Sequence, residues 1–207
     1  MEITKNVHLL TSTKGSFVYL VLGEEPVLID TGMPGRAGRI VKDLGDIGID
    51  PKDIRHILLT HHDVDHIGNA RALKEWSGAT LWAPLQDLSY IHREQPRHGI
   101  KRVIAAVIKA QTPSVDAIYQ PGQTIAGIEM IETPGHTPGH VSFRFRDTLF
   151  AGDLVVSKKG RLAPSPRFLS WNTQEVSRSI QKLKSVQFDW VCPAHGAPVK
   201  RTGLFDF

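Results

Sequence analysis

The chain has 207 residues, 41% of them apolar and 22% charged, with a formal net charge of +4 at pH 7. Residues 1–207 therefore suffice for a single domain with a sizeable core, and no apolar run approaches the roughly 20 residues that cross a bilayer. The small positive excess suits an anionic small-molecule substrate rather than nucleic acid or membrane, the lone Cys192 excludes an internal disulfide, and the polar stretch 1–10 is unlike a secretory signal, so a cytoplasmic protein is expected.

Two short strands are expected at 3–10 and 16–22, and a third at 27–29 that is too apolar to be exposed. The third ends in Asp30-Thr31-Gly32, where Asp30 reads either as a turn cap or as a carboxylate that orients a metal-bound imidazole. A helix is expected at 36–44, with Ile40, Val41 and Leu44 on one side, and Asp50-Pro51 reads as a cap with proline at the first helical position. A buried strand at 55–60 then opens into His61-His62-Asp63-Val64-Asp65-His66. All of these except Val64 carry a nitrogen or oxygen that binds divalent metals. In extended chain His61 and Asp63 point the same way, while Asp65 and His66 are expected to enter a helix with Ile67, Ala70 and Leu73 inward. Two pairs of donors at this spacing suit two adjacent ions better than one.

Three later strands also end in ligand-type residues. The strand 128–132 runs into Thr133-Pro134-Gly135-His136-Thr137-Pro138-Gly139-His140, the strand 149–151 into Gly152-Asp153, and the strand 190–193 into Ala194-His195. Before them lies a helical insert at about 84–118. Its apolar stripe (Ile100, Val103, Ile104, Val107, Ile108) and basic flank, Arg97 and Lys101 among others, fit an amphipathic helix packed on the body with a solvated basic face; a cleft wall is the alternative. The stretch after Asp153 reads equally as a substrate wall or a plain loop, and Asn172-Thr173-Gln174-Glu175 as a capping box that starts a helix to about 186. The order of strands and helices is α/β.

Taken in this order, the residues from Asp30 to Gly196 resemble the metallo-β-lactamase-fold superfamily, with its His-x-His-x-Asp-His block followed by separate His, Asp and His positions. The resemblance implies a four-layer αβ/βα sandwich of two mixed β-sheets flanked by helices, with the site along one edge. It implies two divalent metal ions: one held by His61, Asp63 and His136, the other by Asp65, His66 and His195, with Asp153 bridging. Such ions sit about 3.5–4 Å apart and share a hydroxide that attacks the substrate. Asp65 is the candidate catalytic residue that orients this hydroxide and moves its proton. Asp63 stands where the family most often has histidine, and its harder oxygen leaves iron or manganese open beside zinc, the expected ion.

The implied activity is a dinuclear metal-dependent hydrolase acting on a small ester, thioester, lactone or amide. The alternative is an iron-dependent redox enzyme, similar to a sulfur dioxygenase or to an oxygen or nitric oxide reductase. No tyrosine lies between Asp153 and His195, where lactonases of this fold place one, and little chain follows His195 to form the glutathione-holding or flavin domains of other members. His140 is expected to support its loop, His62 to face solvent or stand beside the ligands, and Cys192 to be inert packing.

Overall fold

The computed structural model describes residues 1–201. Seven strands, β1 (Glu2–Thr4), β2 (Val7–Leu10), β3 (Val18–Leu22), β4 (Pro26–Ile29), β5 (His56–Leu58), β6 (Thr80–Ala83) and β7 (Ala117–Ile118), lie side by side in chain order. The first four pair antiparallel, and β4 to β7 pair parallel because helical crossovers connect β4 to β5 and β5 to β6. A second sheet runs in the order β15-β14-β11-β10-β9-β8. It is formed by β8 (Thr124–Ile125), β9 (Ile128–Glu132), β10 (Val141–Phe145), β11 (Thr148–Gly152), β14 (Trp190–Pro193) and β15 (Val199–Lys200), and only β11 and β14 pair parallel. The hairpin β12 (Val155–Lys158) and β13 (Arg161–Pro164) stands apart as a small sheet.

Period-two alternation explains the layers. In the first sheet Leu20, Leu28, Ile57 and Leu81 point to one side, where they meet Ile40 and Leu44 of α1 (Ala37–Ile47) and Leu73 of α2 (Ala70–Ser77). Their neighbours Tyr19, Val21, Ile29 and Leu58 point to the other side and pack on Phe143, Phe145, Phe150 and Cys192 of the second sheet. The far face of that sheet, with Leu149, Ala151 and Val191, is covered by Val176, Ile180 and Leu183 of α5 (Thr173–Leu183). Helix, sheet, sheet and helix thus form the four layers of the expected αβ/βα sandwich. None of the helices is long and apolar enough to cross a membrane among the described residues.

Local chemistry fixes the element ends. The Asn172 side chain accepts from the amides of Gln174 and Glu175 and starts α5 where expected, but the Asn172 amide bonds the Gly135 carbonyl instead of closing a capping box, and the helix ends at Leu183 rather than about 186. Asp50 caps a single 3-10 turn rather than a longer helix. Residues 3–10 form two strands rather than one, because Asn6 takes φ +72° and turns the chain into the β1–β2 hairpin. The strand expected at 128–132 is β9, and a turn at Ala126-Gly127 pairs it with the short β8. Asp65 and His66 do not enter a helix: the chain turns there, with the His66 amide bonded to the Asp63 carbonyl, and α2 begins only at Ala70.

The insert contains α3 (Leu88–Ile91) and α4 (Ile100–Val107), and α4 reverses the expected polarity. Ile104 and Ile108 face the body, but Ile100, Val103 and Val107 are exposed, and Lys101, assigned to a solvated basic face, is only 7% exposed.

Candidate metal centre

Four strands deliver the site, each at its carboxyl end: β5 leads to His61–His66, β9 to His136, β11 to Asp153 and β14 to His195. Strand β11 can turn straight into Asp153 because Gly152 takes φ +50°, and a Cβ there would lie 2.6 Å from His140 Nε2. All seven residues expected as metal ligands come together. His61, Asp63, His136 and Asp153 present one donor atom each within 4.8 Å of one another, and Asp65, His66 and His195 do the same. Asp153 lies between the groups, with Oδ2 3.4 Å from His136 Nε2 and 3.2 Å from His195 Nε2, and Oδ1 3.4 Å from His66 Nε2.

The histidines are held from behind. His66 Nδ1 lies 2.8 Å from Asp30 Oδ2, His61 Nδ1 lies 2.9 Å from Thr60 Oγ1, and His136 Nδ1 lies 2.9 Å from Ser165 Oγ. Engaging the outer nitrogen turns Nε2 of each ring inward. His61 Nε2, His66 Nε2, Asp63 Oδ1 and Asp153 Oδ1 are then buried without a hydrogen-bond partner. Unpaired buried groups of this kind are costly, and imidazole nitrogens facing carboxylate oxygens are the donor set that divalent cations take. The residues present therefore fit divalent metal ions.

Asp30 reaches His66 from a left-handed backbone, φ +58°, and accepts from the Thr60 amide at 2.8 Å and the Thr60 hydroxyl at 2.7 Å. Of its two readings in the sequence, the structure supports the orienting carboxylate.

A model of the metallo-beta-lactamase superfamily matches residues 12–195. The chain belongs to that superfamily. Among its relatives is the probable metallo-hydrolase YflN of Bacillus subtilis, 27% identical over 229 residues that cover 96% of the chain and 86% of YflN. An N-acyl homoserine lactonase of a Bacillus species is 26% identical over 199 residues, covering 81% of the chain and 74% of the lactonase. A solved metallo-β-lactamase of Cronobacter sakazakii, a mutant of its HARLDQ motif, shares the fold with a TM-score of 0.75 at 25% identity, covering 94% of this chain and 79% of that one.

Within this metallo-β-lactamase-superfamily site, His140 supports its loop. Its Nε2 accepts the Asp153 amide at 3.1 Å while Nδ1 lies 3.0 Å from the Thr133 carbonyl, and burial pushes it down to about 3, so it stays neutral. His62 does not face solvent. It is buried, stacked on Tyr90, with Nδ1 2.8 Å from Asp87 Oδ2. Cys192 is buried and burial pushes its thiol up, which leaves it inert.

Three residues beside the centre were not among the expected site residues, although two of them, Arg97 and Lys101, belong to the segment for which a cleft wall was the alternative reading. Asp87 is fully buried and accepts from the His62 amide, the Thr137 hydroxyl and the Gly139 amide, tying the turn at 61–66 to the turn at 133–140. Arg97 donates to the His62 carbonyl at 2.7 Å, and Lys101 places its ammonium 2.6 Å from Asp63 Oδ2. Nothing in the local sequence distinguishes any of the three from a surface charge. Arg97 and Lys101 line a cavity of about 180 Å³ over the centre, whose other walls include Met33, Val64, Ile104 and Leu169. A larger groove, about 330 Å³ between Leu85, Glu132 and Lys182, is lined by Pro134, Pro138, Gly139 and His140 of the 133–140 turn and by none of the seven ligand-type residues.

The charges are strongly coupled. Burial alone would raise the Asp63 carboxyl, but the Lys101 ammonium and the His136 and His61 imidazoles hold it well below the usual carboxylate range. Burial likewise opposes a charged His66 and His195, yet Asp30, Asp153 and Asp65 raise His66 well above the ordinary value, and Asp153 and Asp65 raise His195 to about 10. A raised folded value stabilises the protein below the unfolded histidine value of 6.5, and that contribution is lost as pH climbs through the folded value. Metal-stripped protein is therefore expected to lose melting temperature from pH 6.5 towards 10. Zinc affinity should rise across the same window, because ligation needs the deprotonated imidazoles. Thermal scans and zinc titrations over this range check both slopes; a flat melting profile for the stripped protein contradicts the first.

Proposed function

We propose that the chain is a dinuclear metal-dependent hydrolase acting on a small ester, thioester, lactone or amide that carries an anionic group. The observation that carries this reading is the convergence of seven ligand-type side chains, with buried unpaired donor atoms on both sides of Asp153. His61, Asp63 and His136 would hold one ion and Asp65, His66 and His195 the other, with Asp153 between. Ions bound there supply Lewis-acid chemistry, activating water at neutral pH and stabilising charge on a carbonyl oxygen. The protein's part is positioning. Asp65 Oδ2 lies 3.2 Å from His195 Nε2 at the edge of the cavity, where its carboxylate can orient the attacking water and take its proton. Met33, Val64, Ile104 and Leu169 make an apolar wall against bulk water, and Arg97, whose Nε is buried without a partner, can receive the anionic group.

The YflN and lactonase relatives support hydrolysis, and the chain's lack of a tyrosine between Asp153 and His195 argues against handling a lactone as lactonases of the fold do. The Asp63 carboxylate is the one observation that favours the iron-dependent redox reading. Zinc, manganese or iron added back to stripped protein, each assayed on a panel of chromogenic esters, thioesters, lactones and amides, tests the proposal. Metal-restored hydrolysis is expected. Iron-dependent oxygen uptake with a persulfide, and no turnover of the panel, would overturn it.

A further inference from the structure

Helix α4 is oriented against the ordinary preference of its side chains. Ile100, Val103 and Val107 are 45%, 58% and 76% exposed, while Lys101 is turned inward on the same face as Ile104 and Ile108. Rotating the helix to bury the three exposed residues would take Lys101 out of the site. Lysine is among the residues least often buried, and it stays so only with partners for its charge. Here it has such partners: Nζ lies 2.6 Å from Asp63 Oδ2 and 3.1 Å from the His136 carbonyl, and 2.9 Å from His136 Nε2, which itself lies 3.0 Å from Asp63 Oδ2. Two of these three atoms, Asp63 Oδ2 and His136 Nε2, belong to the first metal group. At the other group the atoms facing Asp65, His66 and His195 are the carboxylates of Asp30 and Asp153 and the ring of His61; among the described residues no ammonium or guanidinium forms an ion pair there, and Arg97 acts on Asp65 and Asp63 alike through space.

We infer that Lys101 is a tethered cation competing for the first metal position, so that the two positions load unequally. Resting on the metal-centre reading above, this means that the Asp65–His66–His195 position, with Asp153, binds the first ion. An ion at the His61–Asp63–His136 position must displace the ammonium from Asp63 Oδ2 and His136 Nε2 and is correspondingly weaker. Lys101 thereby sets the metal stoichiometry at a given zinc concentration, and through it the population of dinuclear protein.

Zinc titration of stripped, full-length protein by calorimetry, with zinc content measured after gel filtration, tests this without any activity assay. Wild type is expected to bind one equivalent tightly and a second about a hundredfold more weakly, the upper range of ordinary coupling between sites. Lys101→Met, which keeps the length of the side chain without its charge, is expected to narrow that gap to about tenfold or less, and Lys101→Gln to behave alike. Two indistinguishable equivalents in wild type overturn the inference by themselves, whether or not either variant folds. So does a weak second equivalent that persists in a folded Lys101→Met. Failure of wild type and variants to bind zinc at all would instead remove the metal-centre reading, and this inference with it.

Discussion

Asp153→Ala is expected to lower hydrolysis by on the order of a thousandfold, the scale on which loss of one preorganised electrostatic group acts. Zinc bound per chain should fall with it. Among the described residues Asp153 alone has oxygens that face both groups, 3.4 Å from His66 Nε2 on one side and 3.4 Å from His136 Nε2 on the other. Its carboxyl is held well below the usual range, for although burial raises it, His195, His66 and His136 together outweigh burial. Removing the carboxylate leaves four imidazoles converging with less negative charge among them, so neither position keeps its full donor set. Zinc content and turnover measured on the same preparation check this: full zinc occupancy with unchanged turnover would contradict the bridging role.

Asp30→Ala should act on both metal affinity and folding, although Asp30 is not among the expected ligands. Losing a carboxylate that orients a ligating imidazole costs about tenfold to a hundredfold in metal affinity or activity. Asp30 is 2% exposed and is the partner of His66 Nδ1, the Thr60 amide and the Thr60 hydroxyl, so its removal also leaves buried groups unpaired. A stability loss of about 3 kcal/mol or more is expected from breaking such a buried charged contact. Asp30→Asn separates the causes. Asparagine tolerates the left-handed backbone and keeps an oxygen for Thr60, but it lacks the charge that holds His66. It should recover part of the stability while zinc affinity stays low. Denaturant unfolding and zinc titration of both variants are the measurements, and an Asn variant with wild-type zinc affinity would show that the charge on Asp30 is immaterial.

The clusters of ligand-type residues were legible because they follow buried strands, and the order of the motifs, through its resemblance to the superfamily, singled out the seven among them. His61, Asp153 and His195 need only the strand that precedes them to be placed at the sheet edge. Asp30 was half legible for the same reason: its position after β4 suggested a role, but its contact with His66 depends on β4 and β5 pairing in parallel. The polarity of α4 was not legible. Its apolar residues span positions 100, 103, 104, 107 and 108, a stripe wide enough to be packed in two rotations, and the choice is made by an ion pair with Asp63 from another part of the chain. Asp87 was hidden likewise, since its partners His62, Thr137 and Gly139 lie in two turns brought together only by the fold. The hairpin β12–β13 went unseen because the stretch after Asp153, with Arg161, Pro164 and Pro166, reads as loop chemistry, while its pairing, Val155 to Pro164 and Val156 to Ala163, is visible only in space.

The first sheet contributes Asp30 and the residues 61 to 66, and the second contributes His136, Asp153 and His195. Neither sheet carries all the members of either donor group, so an ion bound as proposed would be gripped only when the two halves of the sandwich are closed on each other. Metal so bound would work as a rivet across the seam, its binding energy spent partly on keeping the halves in register. A cell that runs short of the ion would weaken the closure of the molecule along with its chemistry, and the seam is where unfolding should begin.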